Sequence, residues 1–324
     1  MDESSILDLA GLATPMAIRV AATLGLAERE GTAEHLASET GTSTGPLKCL
    51  LDHLVSVGVF ALDTETGRYS PTSLGAQIRD VGPLLDINAA GGRAELAFVD
   101  LLGTITTGKP AYTERYGRDF WSDVEADPAL RRSFDHLMTW RIEREAPQVA
   151  ERFDWSRFQD IVDVGGGDGT ILEAILRANP AVRGQVLDLA PATAAATARF
   201  AEAGLGDRAG TFTGSFFDPL PAGSDAYLLS DILHDWDDAH AREILTACRR
   251  AAAPNGTVVV IELVRERGAD TATDLFMLMC YAGRERTIDE LAKLGAECGL
   301  TLQGSRLVSE ERTAVEFRVA REVG

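Results

Sequence analysis

Three things are scarce in this chain of 324 residues: cysteine, positive charge and long apolar runs. The four cysteines, Cys49, Cys248, Cys280 and Cys298, form no C-x-x-C pair, and no histidine stands at zinc-finger spacing. That excludes a disulfide framework and a zinc module, and leaves the thiols of a reducing cytosol. Lys and Arg number 31 against 50 Asp and Glu, a net charge of −19. A surface so acidic repels nucleic-acid phosphates and anionic lipid. No stretch approaches the roughly 18 apolar residues of a membrane span. The opening Met1-Asp2-Glu3-Ser4-Ser5 is acidic where a secretory signal carries positive charge. The expectation is a cytoplasmic protein with neither nucleic-acid nor membrane partners.

What is present is ordinary for a globular chain: 45% apolar and 25% charged residues. At roughly 100–200 residues per domain, the length suggests two domains. Helical spacing runs from Thr14 through Met16, Val20, Leu24 and Leu26, then over Thr32 to Thr40 and Leu47 to Val57. Gly58 to Leu62, the turn Asp63 to Gly67, and Arg68 to Ser70 read as a β-hairpin. Helices followed by a hairpin make a winged-helix pattern, which invites a DNA-binding reading. Against it, residues 1–100 hold six Lys/Arg and fourteen Asp/Glu, and the would-be recognition helix has one cation, Lys48, beside Asp52. Groove reading needs several Arg, Lys, Asn or Gln on one face. Asp127 before Pro128 signals a helix start, and Pro128 to Arg152 reads as one long helix bridging two domains.

From Phe158 the pattern alternates. Strands are expected at 160–164, 184–189, 210–213, 225–230 and 257–264, with helices between them, and a final strand pair at 302–308 and 314–320. Such alternation implies a doubly wound α/β parallel sheet, with one antiparallel strand contributed by the closing pair.

Four segments carry chemistry. Gly165-Gly166-Gly167-Asp168-Gly169 follows the first of these strands and opens a helix, where backbone amides accept a close ligand. The glycines do not fit the G-x-G-x-x-G spacing, which disfavours a nicotinamide cofactor. Asp188, at the end of the next strand, can accept from the hydroxyls of a ribose or cap the following helix. In Gly214-Ser215-Phe216-Phe217-Asp218 one phenylalanine can cover a flat base and the other fill the core. His234, in Ser230-Asp231-Ile232-Leu233-His234-Asp235-Trp236-Asp237-Asp238, stands at the sheet's carboxyl edge, where a proton acceptor is useful. The four acids around it could bind a metal, but Asp237 and Asp238 read as caps for the next helix, and no metal is expected. Glu262, inside an apolar strand, and Glu285, in Gly283-Arg284-Glu285-Arg286-Thr287, are each able to hold the His234 imidazole in one tautomer.

DVGGGDG at 163–169, LDLA at 187–190, GSFFDPLP at 214–221, SDILHDWDD at 230–238 and GRERT at 283–287 resemble, in order and spacing, the S-adenosylmethionine-dependent small-molecule O-methyltransferases of the caffeate and bacterial polyketide type. The resemblance covers nearly the whole chain. It implies a Rossmann-like methyltransferase sheet preceded by an all-α, winged-helix dimerisation domain: residues 1–100 for dimerisation, 101–155 as helical linker and substrate lid, 156–324 for the cofactor and catalysis. It also implies a homodimer through interlocked N-terminal helices. Gly165, Gly166 and Gly167 would lie against the methionine and ribose of S-adenosyl-L-methionine, Asp188 would hold the ribose, Ser215 and Phe216 would flank the adenine, and Ser230 would reach the cofactor. His234 would be the general base, steadied by Glu262 and Glu285. Met138, Met277, Cys280 and Tyr281 would line the pocket of an aromatic acceptor, methylated on a phenolic or enolic hydroxyl. The family often has an acid where Ser215 stands. Two other readings compete: a non-methylating relative that puts the cofactor to another use, and a ligand-sensing transcription regulator.

Overall fold

The computed structural model describes residues 6–252, 254, 256–267, 271–281 and 283–319. The chain divides into two compact units, Met1–Leu96 with Asp123–Leu137, and Ala97–Ser122 with Met138–Gly324. They interleave in sequence, so the helix Pro128–Glu143 begins in the first unit and ends in the second.

In the first unit, helices Ala13–Thr23, Ala33–Thr40 and Thr44–Ser56 precede an antiparallel hairpin of β1 (Phe60–Asp63) and β2 (Arg68–Pro71). Thr32 caps the second helix by accepting from the His35 amide, and Gly41 ends it with φ +67°. The hairpin turn is held by Asp63, whose carboxylate accepts from the amides of Glu65 and Thr66. Leu26, Leu36, Leu51 and Leu54 form a fully buried core under these elements. Lys48 is committed to Asp52 at 2.7 Å, and Asp52 also accepts from the Tyr69 hydroxyl at 2.6 Å. The single cation of the would-be recognition helix is thus engaged within its own fold.

The second unit holds a seven-stranded sheet. Its strands are β3 (Asp160–Val164), β4 (Arg183–Asp188), β5 (Ala209–Thr213), β6 (Ala226–Ser230), β7 (Thr257–Leu263), β8 (Leu300–Leu307) and β9 (Arg312–Val319). They lie in the order β5-β4-β3-β6-β7-β9-β8. All neighbours from β5 to β7 are parallel, and β9 runs antiparallel to both β7 and β8. β7 is buried along its whole length, and successive residues alternate between two cores. Val259 and Ile261 join one with Ile161 and Leu228; Val258 and Val260 join the other with Val162 and Leu229. That period of two, with both faces covered, explains why its sequence is a continuous apolar run. The chain leaves β3 for β4 and β5 on one side and returns to β6 and β7 on the other. The crevice between the carboxyl ends of β3 and β6 is therefore the switch point at which such sheets bind ligands.

One expected element is divided. The helix predicted over 128–152 is two, Pro128–Glu143 and Ala146–Arg152. Pro147 has no amide to donate, and its ring would strike the Glu143 carbonyl in a continuous helix. It sits instead in the first turn of the second helix, where neither penalty applies. Among the described residues no helix is long and apolar enough to cross a membrane, and no group of three or more His, Cys, Asp or Glu is arranged for a metal ion.

Candidate active site

At the end of β3 the backbone turns through Gly165, Gly167 and Gly169, all with positive φ. A side chain at Gly165 would meet Ile232 at 2.5 Å, and one at Gly166 would meet the Asp163 carboxylate at 2.5 Å. A Cβ at Gly167 would meet nothing within 4 Å, so the turn opens onto space there. Asp188 reaches this turn from β4: one oxygen accepts from the Gly167 amide at 2.9 Å, the other from the Leu189 amide at 2.6 Å. No side chain caps the following helix, whose N-cap residue is Leu189, and Asp188 bridges that residue's amide and the glycine turn. Beneath the turn lies Asp163, 1% exposed, with neither carboxylate oxygen hydrogen-bonded. Burial, then the charges of Asp188 and Asp168, push its pKa up to about 7. The β3 pattern shows Asp163 only as a strand residue, and its role under the turn is a finding of the structure.

Ser230 ends β6 with its hydroxyl buried and without a hydrogen-bond partner. The Ser215 hydroxyl accepts from the Phe217 amide at 3.2 Å. Phe216 is half-buried against the core and lies 3.5 Å from the position of a Cβ at Gly165, whereas Phe217 is 39% exposed and packs edge-on to Trp236. Of the two rings, then, Phe216 is the one beside the glycine turn.

After Ser230 the chain turns at Asp231, the single non-glycine residue with positive φ (+53°) among those described. A short 3-10 turn, Leu233–Asp235, then presents His234. His234 is 4% exposed, and its Nδ1 lies 2.9 Å from Glu285 Oε1. Its Nε2 lies 3.5 Å from Asp235 Oδ1. Glu262 makes no hydrogen bond to the ring. Its Oε1 accepts from the His234 backbone amide at 3.1 Å, so of the two glutamates Glu285 bonds the imidazole and Glu262 the backbone that carries it. The reason is register: β7 runs alongside β6, so Glu262 comes up beneath the backbone of the loop that leaves β6, while Glu285 arrives from a separate segment. Burial by itself would lower the His234 pKa, but the carboxylates of Asp235, Glu285 and Glu262 outweigh it and hold it up at about 10. Burial raises Asp235 and Glu262 to about 7 each, against the pull of His234.

The 283–287 segment wraps this loop. Arg286, fully buried, donates to the carbonyls of Leu233 (2.6 Å) and Trp236 (2.7 Å) and pairs with Asp238 at 2.9 Å. Thr287 and Glu290 close a capping box on the next helix. Gly283 is packed so tightly that a Cβ would stand 1.9 Å from the His234 carbonyl oxygen and 2.6 Å from the Asp235 carbonyl carbon. Gly283→Ala must therefore move one backbone against another. Since a displacement near 1 Å costs about 10²-fold in a positioned reaction, turnover is expected to fall by about that factor with the far-UV circular dichroism unchanged. Normal turnover would show that the approach is not needed.

Met277 and Cys280 are buried in the helix Thr271–Cys280, and Tyr281 follows directly. The Tyr281 ring packs on Phe120 (4.8 Å) and Trp121 (5.6 Å), and Trp121 stacks on Trp236 at 6.4 Å and 10°. Burial, then the nearby Asp235 carboxylate, raise the Tyr281 hydroxyl pKa well above its ordinary value. Met138 is half-buried on the helix Pro128–Glu143. Asp235, Arg286 and Arg312 were not singled out from the sequence. The signal for Asp235 was its place beside His234; for Arg312, far along the chain on β9, there was none.

A model of the O-methyltransferase domain matches residues 98–301. The 2,7-dihydroxy-5-methyl-1-naphthoate 7-O-methyltransferase of Streptomyces carzinostaticus is 46% identical over 311 residues, 93% of each chain. Aclacinomycin 10-hydroxylase RdmB of Streptomyces purpurascens is 41% identical over 328 residues, 96% of this chain and 88% of its own. The crystal structure of the O-methyltransferase NcsB1 from neocarzinostatin biosynthesis, in complex with S-adenosylmethionine and 2-hydroxy-5-methyl naphthoic acid, superposes with a TM-score of 0.93 at 44% identity. It covers 98% of this chain and 100% of that one.

Proposed function

The chain belongs to the O-methyltransferase family, and from that membership we propose how its own residues divide the work. It is an S-adenosyl-L-methionine-dependent enzyme that methylates a hydroxyl of a small aromatic natural product. S-adenosyl-L-methionine, when bound, supplies a methyl group on a positively charged sulfur. The residues at the switch point fit it: an open glycine position at Gly167, an unsatisfied buried hydroxyl at Ser230, and the unpaired Asp163 carboxylate below the turn. Gly165, Gly166 and Gly167 would cradle the methionine and ribose, Asp188 would hold the ribose, Ser215 and Phe216 would flank the adenine, and Ser230 would complete the cradle.

His234 takes the acceptor's proton. A phenol with a pKa of about 10 is a poor nucleophile near neutrality. With Nδ1 committed to Glu285, Nε2 is the nitrogen left to meet the acceptor, and in the neutral ring it takes the proton there. The resulting imidazolium is held by Glu285 and Asp235. Glu262 fixes the backbone that carries the ring. Met138, Met277, Cys280 and Tyr281 would line the acceptor pocket, with the Tyr281, Trp121 and Trp236 rings supplying flat apolar walls.

The observation that carries this reading is the buried His234–Glu285 pair at the carboxyl edge of the sheet. The hydroxylase RdmB, 41% identical, motivates a second reading in which the cofactor serves another reaction. One incubation separates them. With methyl-labelled S-adenosyl-L-methionine and 1,4-dihydroxy-2-naphthoate, label is expected on an acceptor oxygen. An oxygenated product without label would overturn methyl transfer. The proposal includes a cytoplasmic homodimer. Ile6, Leu7, Leu9 and Leu12 are 65–79% exposed, an apolar row that a second copy would cover. Light scattering that gave a monomer at micromolar concentration would refute it.

A further inference from the structure

We propose that Glu262 works as a neutral carboxylic acid: it keeps its own proton at neutral pH, accepts the His234 amide on one oxygen, and so positions the base without placing a second buried anion beside it. The acid form follows from the surroundings of the side chain; its consequence for His234 rests on the methyltransferase reading above.

Strand pairing fixes where Glu262 lies. Partners across β7 and β9 share a face: Ile261 and Ala314 join one core, Val260 and Val315 the other. Glu262 pairs with Thr313 and stands two positions along from Val260, so both side chains take the second face. Two residues further, Val264 bridges to Arg286, which brings the segment carrying Glu285 alongside. Glu262 is thus enclosed by β9, by the His234 turn and by the 283–287 segment, and it is 0% exposed.

None of these neighbours supplies a counter-charge. Glu262 has one hydrogen bond, from the His234 amide to Oε1, and its Oε2 is buried without a partner among the described residues. The buried arginines of the region are committed elsewhere: Arg286 to Asp238 and two carbonyls, Arg312 to Asp231 and Glu145. The imidazole is committed through Nδ1 to Glu285. Glu285 therefore has a cation to answer its charge, and Glu262 has none. A buried carboxylate with one neutral hydrogen bond and no counter-ion is far costlier than the corresponding acid. Protonation also turns Oε2 into a donor, and two buried acceptors nearby lack partners: the Thr313 hydroxyl opposite it on β9, and Glu285 Oε2. The electrostatics run the same way. Burial raises the Glu262 pKa to about 7, with Glu285 and Asp231 adding to it against His234 and Arg286.

The state of Glu262 matters for the base. With both glutamates ionised, the ring would answer two buried anions as well as Asp235, and the neutral imidazole that accepts a proton would be harder to reach. With Glu262 neutral, the acceptor's proton lands on a ring bonded to one anion, and the Glu262 proton stays in place.

The test uses the full chain with Glu262→Gln, Glu262→Met and Glu285→Gln. In infrared difference spectra against wild type at neutral pH, Glu262→Gln is expected to lose a protonated-carboxyl stretch that shifts in deuterium oxide. In urea, wild type should lose stability relative to Glu262→Gln as the pH rises from about 5 to about 8, since an acid with a raised pKa stabilises the fold only while protonated. Glu262→Met removes the acceptor of the His234 amide, so kcat should fall roughly 100-fold, and Glu262→Gln, a neutral isostere, should recover at least about tenfold of that loss. The ascending pH limb should keep its wild-type position in Glu262→Gln and move down in Glu285→Gln. Loss of a carboxylate band instead, a limb moved down in Glu262→Gln, or a Glu262→Gln chain that does not fold would show that the anion is required and overturn the proposal. The expected infrared and urea results in a protein that labels no acceptor would instead overturn the methyltransferase reading and leave the acid standing.

Discussion

His234→Ala is expected to lower kcat by about 10²–10⁴-fold, the usual worth of a positioned general base, while S-adenosyl-L-methionine binding by calorimetry stays within a few-fold. The separation of effects follows from geometry. The proposed cofactor cradle lies at the ends of β3, β4 and β6, whereas His234 sits beyond Asp231 in its own 3-10 turn, gripped by Glu285, Glu262 and Arg286. The pH profile supplies an independent check. Carboxylates hold the imidazole cationic up to about pH 10 in the free protein, and only the neutral ring accepts a proton. The acceptor kcat/KM should therefore rise with pH along an ascending limb that reaches into the alkaline range. Removing a supporting carboxylate, by Glu285→Gln or Asp235→Asn, favours the neutral ring and should move that limb to lower pH. A limb that did not respond would mean that another group titrates. Full activity in His234→Ala would falsify the mechanism outright.

Arg312→Ala should cost about 3–5 kcal/mol of unfolding free energy, the typical penalty for breaking a buried ion pair by removing one partner. Arg312 is 1% exposed and binds Asp231 in a fork, with Nε at 3.0 Å and a terminal nitrogen at 2.7 Å, while its other branch holds Glu145. It thus ties β9 to the left-handed turn from which the His234 loop departs and to the break before the helix Ala146–Arg152. Burial would raise the Asp231 pKa, but the Arg312 charge outweighs it and holds it at about 2. The stability this contributes is present above the ordinary carboxylate pKa and is lost as pH falls toward 2. Urea unfolding should show the loss at pH 7, with less difference from wild type in strong acid. Arg312→Lys keeps the charge without the fork and should fall between. An unchanged midpoint at pH 7 would show that the Asp231 turn does not depend on this arginine.

Much of the fold was legible because its signals are local. The apolar run of β7, the glycines after β3 and the hairpin turn at 63–67 act over a few neighbours, and each expected strand of the sheet is found within about two residues of its place. The one long helix over 128–152 was misread because the apolar spacing continues across Pro147 while the backbone cannot. Around His234 the residue types were readable and their pairing was not. Both glutamates were in view, yet one supports the ring and the other the backbone, because β7 pairs with β6 while the 283–287 segment reaches the loop from elsewhere.

Taken alone, the order of residues determined the alternation of strand and helix, the glycine turn and the histidine that follows the fourth strand of the sheet, because these depend on sterics and burial patterns within a dozen positions. Only the folded chain decided that Asp163 lies unpaired beneath the turn, that Asp235 flanks the imidazole and that Arg312 braces Asp231. Each of these joins or leaves apart groups distant in sequence, and the protonation of His234 is set by carboxylates that burial forces together, an electrostatic balance that exists only once water has been excluded.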